Sequence, residues 1–307
     1  MRRPRDTTGL ALYDATARAA AATVISRYST SFGVASRLLG PRVRPHVHAV
    51  YALVRVADEI VDGPAHEAGM PASEQVRELD AFEARTLAAI GSGFSADLIV
   101  HAFALTAREC GIGEQLIRPF FASMRTDITV AEHDAASHER YVYGSAEVVG
   151  LMCLQAFLNA GSARAVAAPP DLAEGARRLG AAFQNVNFLR DAGFDRETLG
   201  RDYLALGAHD EATPAEAGRT RAAVLESIDA DLAAAAAIIP RLPADSRRAV
   251  TAAHDLFAEL NARLRRTPPG SGRVRVPDPV KAALLARAAV GATPRAPHPD
   301  ERSGRTA

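Results

Sequence analysis

From residue 14 to residue 290 the chain carries one recurring pattern, apolar side chains at spacings of three and four on a background of Ala, Leu, Arg and Glu. That period puts the apolar residues on one face of an α-helix, and no alternating run of useful length interrupts it to make a strand. The pattern predicts helices at about 14–27, 29–39, 44–62, 73–91, 95–110, 113–128, 137–159, 170–193, 214–238, 243–266 and 277–290. Gly- and Pro-bearing breakers separate them: GPRVRP (40–45), GPAHEAGMP (63–71), GSG (91–93), APP (168–170), RLPAD (241–245) and RTPPGSG (266–272). Ser73 and Ser137 stand where N-caps are wanted. No internal repeat at a solenoid period occurs. The expected fold is all-α, one domain over 14–291, with residues 1–13 and the polar, Pro-rich tail 292–307 disordered.

The 307 residues balance to a formal charge of zero, so no global basic field favours nucleic acid as a partner. Lys281 is the only lysine; the other cations are almost all Arg, as compositional bias would produce. Cys110 and Cys153 both fall in apolar helical patterns, and two isolated cysteines make neither a disulfide framework nor a zinc site. The opening MRRPRDTTGLALYD lacks the long apolar core of a signal peptide, and no run reaches the roughly 18 apolar residues of a membrane span. These features lead to an expectation of a cytoplasmic protein. Its basic RRPR offers at most a modest peripheral contact with the inner face of the plasma membrane.

Two polar ladders break the apolar pattern. In AVYALVRVADEIVDG (49–63), Tyr51, Arg55, Asp58 and Asp62 follow at spacings of four, three and four, so all four share one helix face. Taken alone, a DxxxD near a helix end reads as a solvated acidic stripe. Yet the macrodipole disfavours anions at a C-terminus, and Gly63-Pro64 ends the helix at once, so the carboxylates call for cations. In FQNVNFLRDAGFD (183–195), Asn187, Asp191 and Asp195 stand at i, i+4 and i+8, with Gln184 on the same face and Phe183, Val186, Phe188 and Leu189 on others. Each of these residues has an ordinary structural explanation, such as a surface Arg190–Asp191 pair worth at most about 1 kcal/mol.

Two such ladders in one bundle are harder to dismiss. Facing each other, they would make a pocket of four carboxylates too repulsive to stand fully ionised without cations. All-oxygen ligands suit Mg²⁺ or Mn²⁺, not zinc, and Mg²⁺ prefers a few carboxylates plus phosphate oxygens. Carboxylate, metal and a diphosphate-bearing ligand are the reading the residues themselves support.

The segments YSTSFGVASRLLGPRVRPHVHAVYALVRVADEIVD (28–62) and LGAAFQNVNFLRDAGFD (179–195) closely resemble the two signature segments of the phytoene/squalene synthase family. ASMRTDITV (122–130) and YVYGSAEVVGLM (141–152) resemble its two intervening blocks, and VRVPDPVKAALLARA (274–288) is similar to the C-terminal helix of actinobacterial-type phytoene synthases. The resemblance runs in order over roughly residues 20 to 290. It implies an isoprenoid-synthase-type helical fold around a large central apolar cavity. It also implies head-to-head joining of two prenyl diphosphates through their C1 carbons, most closely as in bacterial phytoene synthases of carotenoid biosynthesis, which need Mg²⁺ but no NADPH.

By the same resemblance, Asp58, Asp62, Asp191 and Asp195 match metal-binding aspartates, with Asn187 beside them. Ser29, Ser31, Phe32, Arg55, Gln184, Arg190 and Arg201 match residues of the diphosphate pockets and substrate channel. Tyr51 and Tyr203 match tyrosines near the reacting carbons. Arg55 and Arg190 would assist departure of the diphosphate, and Tyr51 and Phe32 would face the carbocation. The chain departs from the family pattern at Phe194, where Glu is usual, and in an extra residue between Asp195 and Tyr203, which stretches the register onto which Arg201 and Tyr203 are carried. It departs again at SAEVVG in place of VAGxVG, which puts Glu147 near the expected cavity.

GSGFSA (91–96) has the form of a dinucleotide fingerprint but follows a helical pattern and not a strand. HVH (46–48) lacks a third metal ligand nearby, and HDAASHER (133–140) reads as a loop and cap. Sibling activities on farnesyl diphosphate, giving squalene, presqualene diphosphate or diapophytoene, fit the same ladders. A non-catalytic scaffold of the family would be expected to have lost some of the aspartates. A terpene cyclase would leave YSTSF and the 141–152 block without a role.

Overall fold

In the computed structural model, residues 8–29, 31–130, 135–194, 203–204, 214–268 and 272–295 are described, and no strand occurs among them. The first half runs α1 (Gly9–Tyr28), α2 (Ser31–Ala35) with a 3₁₀ turn over Ser36–Leu38, α3 (Arg44–Asp62), α4 (Pro64–Glu67), α5 (Ala72–Ser92), α6 (Leu98–Cys110) and α7 (Glu114–Thr129). The second half runs α8 (Ala135–Val142), a π-turn over Tyr143–Glu147, α9 (Val148–Asn159), α10 (Pro170–Phe194), α11 (Pro214–Ile238), α12 (Ala244–Arg266) and α13 (Asp278–Ala289).

The helical periodicity therefore located the elements, with several local corrections. Helix α1 starts at Gly9, inside the segment expected to be disordered. Ser73 and Ser137 are not N-caps: each lies within its helix, and α5 starts behind Pro71, whose carbonyl accepts the N–H groups of Glu74 and Gln75. The helix expected from 95 starts at Leu98, behind Asp97, whose carboxylate accepts from the N–H groups of Ile99 and Val100. The GSG stretch is a helix stop, with Gly93 closing α5 at φ 80°, a left-handed conformation that glycine adopts without strain. Residues 135–140, read as loop and cap, are helical. Residues 136–159 form one helix long and apolar enough to cross a membrane by length and composition, which the sequence reading had not found; half of its apolar window is buried inside the fold.

The main core gathers around α3. Val50, Leu53, Ala57 and Val61, spaced by three and four, are at most 5% exposed and pack with Phe82, Phe103, Phe120 and Phe121 of α5, α6 and α7. Each buried Phe is worth about 1.5–3 kcal/mol of transfer free energy. With that face committed to the core, the opposite face of α3, bearing the first ladder, is left to look inward onto α9, α10 and α12.

Helix α10 reaches that position because two glycines remove the side chains in the way. A Cβ on Gly150 would lie 2.4 Å from the Ala176 carbonyl oxygen, and one on Gly180 would lie 2.5 Å from that of Ala146. The α9 and α10 backbones thus touch directly at the π-turn. At the other end of the domain, buried Asp255 of α12 accepts from the Arg287 guanidinium and from the Arg295 N–H at 2.8 Å. Residues 292–295, expected in a disordered tail, are pinned there, and α13 is fixed against α12.

Candidate active site

Part of each ladder lines one and the same cavity, of about 810 Å³, whereas Asp191 is not among its lining residues. Helix α3 contributes Tyr51, Val54, Arg55 and Asp58 to its lining, and α10 contributes Phe183, Gln184, Asn187 and Arg190. Ser29 and Phe32 line it as well. The polar groups gather toward one end, the C-terminal halves of α3 and α10. Apolar side chains make the body.

On α3, the Arg55 guanidinium sits 4.7 Å above the Tyr28 ring and donates from Nη2 to Glu59, one turn on. Its Nε is buried with no hydrogen-bond partner among the described residues. A charged donor in that condition calls for an anionic acceptor. The Ser29 hydroxyl accepts from the N–H groups of Phe32 and Gly33, at 3.0 and 3.2 Å, which fixes the start of α2. Burial pushes the Tyr51 phenol above its usual range, only partly opposed by its hydrogen bond with Ser29, so at neutral pH Tyr51 keeps its proton.

On α10, Arg190 grips Asp191 with two nitrogens, Nε to Oδ1 at 3.0 Å and Nη2 to Oδ2 at 2.5 Å. This is not the surface pair that sequence alone allowed, since the two side chains are 23% and 19% exposed. A second cation arrives from far along the chain: Arg273 Nε lies 2.9 Å from Asp191 Oδ1. Arg273, Arg275 and Lys281, from the connector before α13 and from α13 itself, all line the cavity. Sequence spacing offered no signal for them beyond the oddity of a lone lysine.

Below the ladders, Phe32, Phe183 and Phe257 form an aromatic wall, with ring centroids 5.5 Å apart for Phe32–Phe183, 5.4 Å for Phe32–Phe257 and 4.0 Å for Phe183–Phe257. Phe183, expected to pack on another face, thus belongs to the cavity.

Several expected site residues stand elsewhere. Tyr203 is not among the cavity-lining residues. Its ring stacks on Phe188 at 4.4 Å and its hydroxyl donates to Asp127 at 2.9 Å, beside the Tyr141 hydroxyl, which donates to the same carboxylate at 2.7 Å. Glu147 does not line the cavity either; it pairs with Arg177 at 2.7 Å, and burial raises its carboxyl despite that partner. His46 and His48 meet Thr106 and Ser36, at 3.1 and 3.3 Å. Asp195 and Arg201 lie outside the described residues, as do the side chains of Ser31, Asp62 and Phe194. Among the described residues no three His, Cys, Asp or Glu side chains converge as a metal site. The expected set of four aspartates includes Asp62 and Asp195.

Residues 25–279 match the squalene/phytoene synthase family. A chloroplastic phytoene synthase 3 from Zea mays is 32% identical over 184 residues, covering 59% of this chain and 41% of that protein. A 15-cis-phytoene synthase from Synechocystis is 31% identical over 188 residues, 60% of this chain and 54% of the relative. The matched part is thus about two fifths to a half of these relatives. A dehydrosqualene synthase crystallised with a ligand shares the fold at a TM-score of 0.73 and 22% identity, covering 90% of this chain and 96% of that one. The squalene synthase HpnC from Alicyclobacillus acidocaldarius does so at 0.70 and 20%, covering 83% and 95%.

Proposed function

The chain belongs to the squalene/phytoene synthase family, and from that membership we propose that it joins two geranylgeranyl diphosphates head to head, C1 to C1′, to make phytoene. The observation that carries the reading is the convergence of two polar ladders, far apart in sequence, on one apolar cavity. The phytoene synthases among its relatives support the C20 substrate.

The donor set fits a divalent metal. Asp58, Asn187 and Asp191, with Asp62 and Asp195 by resemblance, offer oxygen ligands alone, as Mg²⁺ or Mn²⁺ require. When bound, Mg²⁺ supplies the charge that makes diphosphate a leaving group from an allylic carbon. Arg55 and Arg190 hold phosphate oxygens, and the partnerless Nε of Arg55 is the donor such an oxygen would meet. Departure of the first diphosphate leaves an allylic cation. The Phe32–Phe183–Phe257 wall and Tyr51 exclude water from it and turn aromatic faces toward it. The double bond of the second substrate attacks that cation, and loss of one proton from the new bond's C1 carbon closes the ring to give a cyclopropylcarbinyl diphosphate. A second ionisation, rearrangement and loss of one proton then give the triene. Tyr51 keeps its own proton, so we assign that last proton to a released diphosphate.

Incubation of the purified protein with C15 and C20 prenyl diphosphates, with and without Mg²⁺ and NADPH, tests the reading. Phytoene from the C20 substrate, dependent on Mg²⁺ and indifferent to NADPH, is the expected product. Squalene or dehydrosqualene from the C15 substrate would move the assignment to the sibling activity. No diphosphate release from either would leave a non-catalytic member of the family.

A further inference from the structure

Of the four residues on the α3 ladder, Arg55 is the one cation. A long arginine side chain loses rotamer freedom when it grips an anion, unless its planar fork is already held in the direction it must point. Two contacts outside the ladder hold this one. Glu59, one turn on, accepts from Nη2. Its side chain is 17% exposed and it is not among the cavity-lining residues, so the anchoring carboxylate stands outside the site that the guanidinium lines.

The second contact is with a face and not an edge. The Arg55 guanidinium lies 4.7 Å from the centroid of the Tyr28 ring. Tyr28 is 52% exposed, so burial gives that ring little. Its cation–π contact is the interaction that accounts for a large aromatic side chain lining the cavity while half in solvent. The backbone around Tyr28 is fixed as well. It ends α1, the Ser29 N–H donates to the Ile25 carbonyl at 3.1 Å, and the Ser29 hydroxyl starts α2. With one nitrogen anchored and one face covered, the guanidinium keeps a single plane, and its Nε is left buried without a partner among the described residues.

We propose that Glu59 and Tyr28 are positioning residues, which hold the Arg55 guanidinium in the plane where Nε meets an oxygen of the substrate's diphosphate. The inference rests on the prenyl diphosphate reading above and adds to it two residues that act through Arg55. An ordinary i, i+4 ion pair and an ordinary surface tyrosine would support the fold alone. The clamp differs from them in one respect: its loss is felt at the phosphate and only while Arg55 is present.

A double-mutant cycle tests this. Wild type, Glu59→Gln, Tyr28→Leu, Tyr28→Phe, Arg55→Gln and the two pairs of Arg55→Gln with Glu59→Gln or Tyr28→Leu are compared. Diphosphate release from C15 and C20 prenyl diphosphates is measured with Mg²⁺, and binding of the unreactive thiolodiphosphate analogues by calorimetry. Glu59→Gln is expected to cost about tenfold in kcat, the lower end of what an outer partner is worth to the group it orients. Tyr28→Leu should cost about fivefold, the scale of a half-exposed cation–π contact, and Tyr28→Phe, which keeps the aromatic face, less than about twofold. Each single variant should hold Tm within about three degrees, as loss of an exposed pair allows. On the Arg55→Gln background neither substitution should add more than about twofold, because residues that act through one side chain do not add. Should Glu59→Gln not fold, Glu59→Asp, one methylene shorter, takes its place. Losses that multiply with that of Arg55→Gln overturn the clamp for the residue concerned, as does a single variant that matches wild type in both turnover and affinity. A wild type that releases diphosphate from neither substrate fails the enzymatic reading instead, and the same cycle read in the analogue's Kd then decides the clamp by itself.

Discussion

The ladders on α3 and α10 look alike in sequence and are built differently in space. On α3 the cation Arg55 takes its partner from its own helix, Glu59 at i+4, and the helix packs mainly into the main core, with Ala49 and Ala52 turned to a small alanine cluster shared with α1 and α6. On α10 the carboxylate Asp191 is shared between its neighbour Arg190 and Arg273, which lies more than seventy residues away in sequence. Helix α10 also divides its packing, sending Ala182, Val186 and Leu189 into one cluster and Ala181 and Phe188 into another. The first ladder is therefore local and rigidly backed, whereas the second depends on the connector before α13 arriving in the right place. An equivalent pattern of residues does not imply an equivalent mechanical origin.

The strongest way to break this comparison is to remove one aspartate from each side. Asp58→Ala and Asp191→Ala are each expected to lower Mg²⁺-dependent diphosphate release by more than about a hundredfold, beyond what loss of a merely supporting group costs a metal site. Chelation with EDTA should reproduce the loss, and added Mg²⁺ should restore it in wild type alone. Near-normal turnover in either variant would remove that helix from the metal site. Arg55→Gln and Arg190→Gln come next, each expected to cost about a hundredfold in kcat, the scale for one preorganised donor to a developing anion. An asymmetric result, with only one arginine mattering, would show that the ladders do not share the work.

Smaller effects sharpen the contrast. Arg273 is 56% exposed, so Arg273→Gln should cost about fivefold in kcat/KM, the ceiling for an exposed ion pair of ~1 kcal/mol. The wild-type advantage should shrink as salt rises from low to physiological strength. A loss as large as that of Arg190→Gln would make the connector an equal partner of α10. Tyr203→Phe should leave turnover within about threefold while lowering stability by about 1 kcal/mol, the worth of one hydrogen bond, seen as a fall of a few degrees in Tm. A collapse of kcat without loss of Tm would return Tyr203 to the chemistry.

Most of the helices were legible in the sequence because periodicity and breakers are local properties. The corrections fall where local signals compete. Ser73 and Ser137 had the right residue type for caps, but Pro71 and the helical path from Ala135 overrode them. The 137–159 pattern reads as one helix and is continuous, yet it carries a π-turn where Gly144 and Gly150 pass close to neighbouring backbones. Residues sharing a face with the DxxxD pairs were found by spacing: Tyr51, Arg55, Asp58, Gln184 and Asn187 do line the cavity. Spacing could not find Phe257 or Arg273, which owe their place to other helices, nor foresee that Tyr203 would turn toward Asp127.

By itself, then, the sequence determined which residues stand on a common helix face, because a fixed rotation of about 100° per residue makes that a matter of counting. Only tertiary structure decided what those faces meet. Contact between distant segments depends on packing, on the two glycines that let α9 touch α10 and on the arginine that closes the distance to Asp191. The cavity belongs to the second kind, since its lining comes from α1, α3, α9, α10 and α12 together.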